Sequence, residues 1–207
     1  MFITGTGTNV GKTYVTRLLL EALGRDRRSA CGFKPISCGD RIDAQILLEG
    51  AQPHPPESGI DALNPIHLKT PAAPYAACLI ENRTIDFDAI DTAFNSLRNE
   101  YDHVLVEGAG GWEAPLTDTQ TFADFAARLG LPVIVVIDNR LGALNHTILT
   151  VRAIEARGLT CAGLILNYVD DERDSASISN RAVLEQFLPD APILGDVLHG
   201  ADEFPLR

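Results

Sequence analysis

The sequence predicts a three-layer α/β fold, a mainly parallel β-sheet flanked by helices. Three observations carry this. Short apolar runs alternate with amphipathic helical patterns along the chain, the order that lays right-handed crossovers on a parallel sheet. Val104-Leu105-Val106 and Val133 to Ile137 are continuously apolar and rich in β-branched residues, as expected of strands covered on both faces. A glycine-rich stretch, Gly5 to Thr13, follows the first apolar run and opens the first helix. At 207 residues and 45% hydrophobic content, the chain suits one domain spanning residues 1–207 with a sizeable core.

The first run, Met1 to Ile3, leads into Gly5-Thr6-Gly7-Thr8-Asn9-Val10-Gly11-Lys12-Thr13. Glycines there let successive N–H groups and the N-terminus of the next helix face an anion. Lys12 adds a compact charge for the β- and γ-phosphates, and the Thr13 hydroxyl suits Mg²⁺. The stretch therefore reads as a P-loop and the fold as P-loop NTPase-like. The common spacing puts its first glycine where Thr6 stands, so Gly5 and Gly7 flank that position.

Tyr14 to Leu23 forms the first helix, with Val15, Leu18, Leu19, Ala22 and Leu23 at helical spacing and Gly24 as its stop. Ala30 to Phe33 is a short strand ended by Lys34-Pro35. Lys34 thus stands at a C-terminal strand end, where open α/β sheets gather ligands. Asp43 precedes a helical run, Ala44 to Leu48, and by local sequence reads as an N-cap. Gln52 to Gly59 and Asn64 to Pro74 are rich in proline and polar residues and read as irregular. Pro74 opens a helix running to Ile80, and Asp86 to Leu97 forms another, with Phe87, Ile90, Phe94 and Leu97 on one face.

The strand Val104 to Val106 delivers Glu107 into Gly108-Ala109-Gly110-Gly111-Trp112. A carboxylate at a strand mouth, beside a turn that admits close backbone approach, suits Mg²⁺ opposite a P-loop hydroxyl. Thr121 to Leu129 is helical and stops at Gly130. The strand Val133 to Ile137 ends in Asp138, so Glu107 and Asp138 compete for one acidic metal position. Leu141 to Ala156 gives a helix, Cys161 to Leu166 a strand ending in Asn167, Ser175 to Leu188 a helix, and Ile193 to Val197 the last strand.

A net charge of −11 argues against nucleic acid or an anionic membrane surface as partner, since both repel it at long range. No segment approaches the roughly 20 apolar residues of a spanning helix. The sequence opens on its first strand, so no leader is expected and a cytoplasmic location is. Cys31, Cys38, Cys78 and Cys161 are widely spaced, which points to reduced thiols rather than a zinc site or disulfide framework. Lysine occurs only at 12, 34 and 69 among 17 basic residues. A compact ammonium is not interchangeable with guanidinium at a phosphate, so these lysines are read individually.

Six separated motifs agree in order and spacing with one family: Gly5 to Thr13, Gly32-Phe33-Lys34-Pro35, Glu107 to Trp112, Thr121 to Asp124, Leu141 to His146, and Gly163 to Asn167. The sequence resembles dethiobiotin synthetases from its first residues to its last strand. The resemblance implies a homodimer with shared active sites. It would close the ureido ring of dethiobiotin from 7,8-diaminononanoate and CO₂ or bicarbonate, using ATP and Mg²⁺. Lys12 and Lys34 would steady the transferring phosphoryl group and the carbamate. Thr13, Asp43 and Glu107 match the metal positions, which reverses the N-cap reading of Asp43. Thr8, Asn9, Val10, Gly11, Tyr14, Gly108, Ala109, Gly110 and Leu198 match nucleotide positions, and Asn167 an asparagine that reads adenine. Thr8, Lys34, Cys38, Gly110, Leu141, Gly142 and Asn145 match substrate positions, the last three reaching across the dimer.

The sequence departs from the family pattern at four places. Cys38 stands where a hydroxyl is usual, next to Ser37, and Gly7 where aspartate is frequent. Tyr75 replaces a common histidine and Leu198 a common proline. A partitioning-type ATPase, another amide- or ring-forming ligase, and a nucleotide-binding structural subunit are the rival readings. The first carries an extra lysine early in its P-loop, where this chain has Gly7, and the last leaves Lys34 without a task.

Overall fold

The computed structural model describes residues 1–205. Its main sheet has six strands, all parallel, in the order β2-β5-β1-β6-β7-β8. These are β1 (Phe2–Gly5), β2 (Ala30–Phe33), β5 (His103–Glu107), β6 (Val133–Asp138), β7 (Cys161–Asn167) and β8 (Ile193–Val197). Successive side chains of a strand point to opposite faces, and the core divides accordingly. Phe2, Val104, Val106, Val133, Val135 and Ile137 join one cluster. Ile3, Leu105, Ile134 and Val136 join the other. Both faces of the central strands are therefore apolar, as the continuous runs required.

Helices complete the two outer layers. On the first face lie α4 (Pro74–Glu81), α5 (Phe87–Glu100), α6 (Phe122–Leu129), α7 (Ala143–Ala156) and α8 (Ser175–Phe187), which supply Ala77, Phe94, Phe125, Val151 and Leu184. On the second, α1 (Lys12–Arg25) and α2 (Ile42–Glu49) supply Val15, Leu18 and Leu47, joined by Phe204. Phe2 is wholly buried and meets Trp112 and Phe125 edge to face, an anchor whose truncation to alanine costs about 3–5 kcal/mol.

The sequence reading is corrected between residues 36 and 68. A second, two-stranded parallel sheet joins β3 (Ile36–Cys38) to β4 (Ile66–Leu68), with α3 (Ile60–Leu63) preceding β4. Each strand has three residues, too few for alternation to register against the surrounding prolines. Ile66 and Leu68 are nevertheless buried and His67 is not, the alternation of a half-buried strand. Boundaries move as well. Asp43 lies inside the first turn of α2 instead of capping it, and Leu141-Gly142 precede α7.

Strand register gathers the chemistry. Phe33 pairs with Val106, so the next residues, Lys34 and Glu107, leave neighbouring strands side by side. Ile3 pairs with Glu107, which brings the loop after β1 to the same sheet edge. Asn167 ends β7 two strands away from β1. All four strand ends open on the carboxyl edge of the sheet.

Candidate active site

Gly11 forms the N-cap of α1 in a left-handed conformation, φ 84°, and a Cβ there would meet Asn167 Nδ2 at 2.1 Å. Only glycine fits. A Cβ on Gly5 would strike Val10 at 2.5 Å, whereas one on Gly7 would make only ordinary contact with Val10, at 4.0 Å. The sterically demanded glycines are thus 5 and 11, which accounts for the unusual spacing. The loop is anchored by Thr6 N–H donating to Val136 O at 3.1 Å. Lys12 Nζ curls back to Gly7 O at 2.9 Å, and burial lowers its pKa to about 8, with Lys34 adding to the fall.

Beside the loop, Lys34 is 3% exposed and its Nζ lies 2.6 Å from Glu107 Oε1 and 2.8 Å from Asp43 Oδ2. Burial pulls the Lys34 ammonium down, but the two carboxylates together outweigh it and raise its pKa. For Asp43, burial acts upward and is outweighed by Lys34, so the net shift is downward. The site holds its charges by mutual pairing, with Lys34 and Glu107 buried and Asp43 half exposed. Thr13 Oγ1 donates to Glu107 Oε1 at 2.7 Å.

Among the described residues, no three His, Cys, Asp or Glu side chains converge as a metal cluster. Thr13, Asp43 and Glu107 instead offer two carboxylates and a hydroxyl, all hard oxygens, of which Asp43 is 50% exposed to the cleft. That donor set fits Mg²⁺, which keeps several waters and takes few protein ligands. Asp138 does not join them. Its carboxylate pairs with Arg140 at 2.5 Å, beside β7.

The cleft over these groups has a volume of about 750 Å³, within the usual range for small-molecule sites. Thr8, Asn9, Tyr14, Ala109 and Gly110 line it, as expected from the sequence. Asp40 and the Pro71 to Pro74 segment form its far wall. Cys38 is half-buried on that wall, while the neighbouring Ser37 hydroxyl donates to Asn64 Oδ1 at 2.8 Å.

Asn167 sits behind the loop. Its Nδ2 donates to Val10 O at 2.9 Å, and its buried Oδ1 has no hydrogen-bond partner. A buried amide oxygen without a donor is costly, and an amino group on a bound ligand would satisfy it. Tyr14 donates its hydroxyl to Ala201 O, tying the segment that carries half-exposed Leu198 against α1. Leu141, Gly142 and Asn145 do not line this cleft. All three are exposed, Leu141 to 80%.

Two residues that sequence reasoning did not single out also enter the site. Thr16 Oγ1 lies 2.8 Å from Glu107 Oε2, and its spacing of three from Thr13 on one helix could have marked it. Asn64, buried in the loop before β4, donates to Lys34 O at 2.7 Å and accepts from Ser37 and Arg41. No local pattern announces it.

Comparison with known proteins agrees with this geometry. A family described as an AAA domain matches residues 1–199. An ATP-dependent dethiobiotin synthetase of Akkermansia muciniphila is 46% identical over 97% of this chain and 92% of its own. One from Aromatoleum aromaticum is 47% identical over 100% and 93%, and one from Serratia marcescens 37% over 91% and 85%. Among solved structures, a ParA family ATPase of Chlorobium tepidum superposes with TM-score 0.57 at 12% identity, over 97% of this chain and 85% of that one. The Mg-ADP complex of the septum site-determining protein MinD from Pyrococcus horikoshii gives 0.56 at 20%, over 95% and 80%. These two likenesses concern the fold.

Proposed function

The chain belongs to the ATP-dependent dethiobiotin synthetase family, and from that premise we propose how its own residues divide the work of the reaction. The substrates are 7,8-diaminononanoate, CO₂ or bicarbonate, and ATP. A carbamate formed on one amine attacks the γ-phosphate through its oxygen, and the second amine then closes the ureido ring and expels phosphate. ADP and dethiobiotin are the other products.

The loop from Thr8 to Thr13 cradles the phosphates through its N–H groups, and Lys12 balances their charge. Lys34 reaches between the phosphoryl group and the carbamate, where its compact ammonium stabilises charge on both. Thr13, Asp43 and Glu107 would hold Mg²⁺, which when bound would supply positive charge against the phosphates. Asn167 reads the adenine amino group with its unpaired amide oxygen, its Nδ2 being engaged by Val10 O, and Tyr14 with Leu198 flanks the base. Gly108, Ala109 and Gly110 admit close approach to the phosphates, while Cys38 faces the substrate. The reaction needs no covalent intermediate, so the chain's contribution is position and charge.

The observation that carries this reading is Lys34, a buried ammonium held by two carboxylates beside the P-loop. A nucleotide switch has no use for it. We further propose a single domain over residues 1–207 and a homodimer in which Leu141, Gly142 and Asn145 complete the partner's substrate site. We propose a cytoplasmic location, without nucleic-acid or membrane partners. Among the described residues, no helix is long and apolar enough to cross a membrane.

Purified protein should convert ATP to ADP only with Mg²⁺, bicarbonate and 7,8-diaminononanoate together, and mass spectrometry should find dethiobiotin. Equal turnover without the diamine overturns the reading.

A further inference from the structure

We propose that Thr16 is a positioning residue for Glu107: its hydroxyl holds one carboxylate oxygen and keeps the other aimed at Thr13 and Lys34. Glu107 is 0% exposed, so its oxygens depend on protein donors. Oε1 receives two, from Thr13 at 2.7 Å and Lys34 at 2.6 Å. Oε2 receives Thr16, at 2.8 Å. Thr13 and Thr16 stand three residues apart on α1 and so present their hydroxyls on one side of the helix.

The competing explanation is local. A threonine inside a helix often gives its proton to the carbonyl four residues back, and Thr16 Oγ1 is 2.9 Å from Lys12 O. One hydroxyl has one proton, and two considerations assign it. The Lys12 carbonyl lies where the helical ladder already supplies an N–H, whereas an ionised acceptor forms the stronger hydrogen bond. Leaving a charged oxygen of a wholly buried group without a donor costs more than leaving a carbonyl's second lone pair unused.

The terminal torsion of a glutamate is broad and nearly two-fold, so donors on one oxygen alone leave the carboxylate free to swing. Thr16 removes that freedom by fixing the second oxygen. Its partners are otherwise engaged on Oε1, so they cannot substitute for it. The consequence is preorganisation of a metal ligand by an outer partner, for which losses of about 10–100-fold in metal affinity are typical.

The inference rests on Glu107 being a metal ligand, and the test separates the two. Mn²⁺ binding in the presence of ADP is measured by electron paramagnetic resonance for the unaltered chain, Glu107→Gln, Thr16→Val and Thr16→Ser. Circular dichroism confirms that each variant is folded, and Thr16→Ala stands in if the valine variant is not. Thr16→Val should weaken Mn²⁺ about 10–100-fold, with KM for Mg²⁺ rising more than kcat falls at saturating metal. Thr16→Ser should restore affinity. Unaltered Mn²⁺ affinity in Thr16→Val, alongside its loss in Glu107→Gln, overturns the inference and leaves the metal reading standing. A serine variant as poor as valine also overturns it. Unchanged affinity in Glu107→Gln overturns the metal reading and this inference with it.

Discussion

Lys34 Nζ and Glu107 Oε1 stand 2.6 Å apart at the ends of adjacent strands, the lysine 3% exposed and the glutamate not at all. Breaking one side of a buried pair leaves an uncompensated charge. Lys34→Met should therefore cost about 3–5 kcal/mol of stability, read by urea unfolding, besides lowering turnover by orders of magnitude. Lys34→Met with Glu107→Gln should regain much of that stability and none of the activity. Lys34→Arg should also fail, because a guanidinium fork does not fit between two carboxylates and a phosphoryl group. Lys69, exposed and absent from these contacts, should tolerate alanine. Full activity in Lys34→Arg would remove Lys34 from the chemistry.

Much of this was legible in the sequence, because both lysines and Glu107 sit at boundaries that sequence marks well. Lys12 follows glycines and opens a helix; Lys34 precedes a proline; Glu107 ends an apolar run of valine and leucine. Their convergence also follows from the parallel topology, which puts every strand's carboxyl end at one edge. Other features depend on tertiary pairing and leave no local trace. The β3–β4 sheet forms because Ile36 and Ile66, 30 residues apart, align, and each strand is too short to show a period. Asp43 resembles a cap until Lys34 is seen 2.8 Å away. Asp138 resembles a metal ligand until Arg140 is seen beside it.

Asn64 illustrates the same limit and yields a prediction. Its amide holds Lys34 O at 2.7 Å and Ile66 O at 3.2 Å, while its Oδ1 accepts from Ser37 and Arg41. This one side chain joins the strand end carrying Lys34 to the sheet carrying Cys38. Asn64→Ala leaves several buried groups unpaired and should cost roughly 1–3 kcal/mol. The P-loop is untouched by it, so KM for the diamine should rise several-fold while KM for ATP stays near its starting value. An equal rise in both would contradict a role confined to the Lys34 wall.

Cys38 lines the cleft half-buried, and burial pushes its thiol up to about 11. Cys78 and Glu81 on α4 push the same way, and Lys34 opposes them without prevailing. The thiolate is the reactive form, so a raised pKa makes it scarce at neutral pH. Alkylation of Cys38 by iodoacetamide should be slow at pH 7 and climb about tenfold per pH unit up to roughly pH 10. The diamine should protect, and Cys38→Ser should keep or improve turnover, since oxygen restores a stronger donor in nearly the same shape. A rate that levels off below pH 8, or a dead Cys38→Ser, would instead point to an activated nucleophile.

The shared-site prediction rests on the segment from Leu141 into the first turn of α7, which its own cleft does not use. Leu141, Gly142 and Asn145 are exposed and line no part of the cleft that holds Lys34. Yet the loop is held firmly: Leu141 N–H donates to Asp174 Oδ2 at 2.9 Å, Asn139 donates to Ser177 O at 3.0 Å, and Asn180 donates to Asn139 Oδ1 at 2.8 Å. Anchored by these bonds, the exposed turn with its left-handed glycine, φ 92°, at the N-cap of α7 leaves Leu141 and Asn145 facing solvent. In a two-fold dimer such a loop can complete the partner's cleft. Lys34→Ala and Asn145→Ala chains should each be inactive alone. After equal mixing and exchange, half of the dimers are hybrids and one site in each hybrid is intact, so activity should return to about a quarter of the unaltered level. No recovery after exchange is verified by mass would mean that each chain completes its own site.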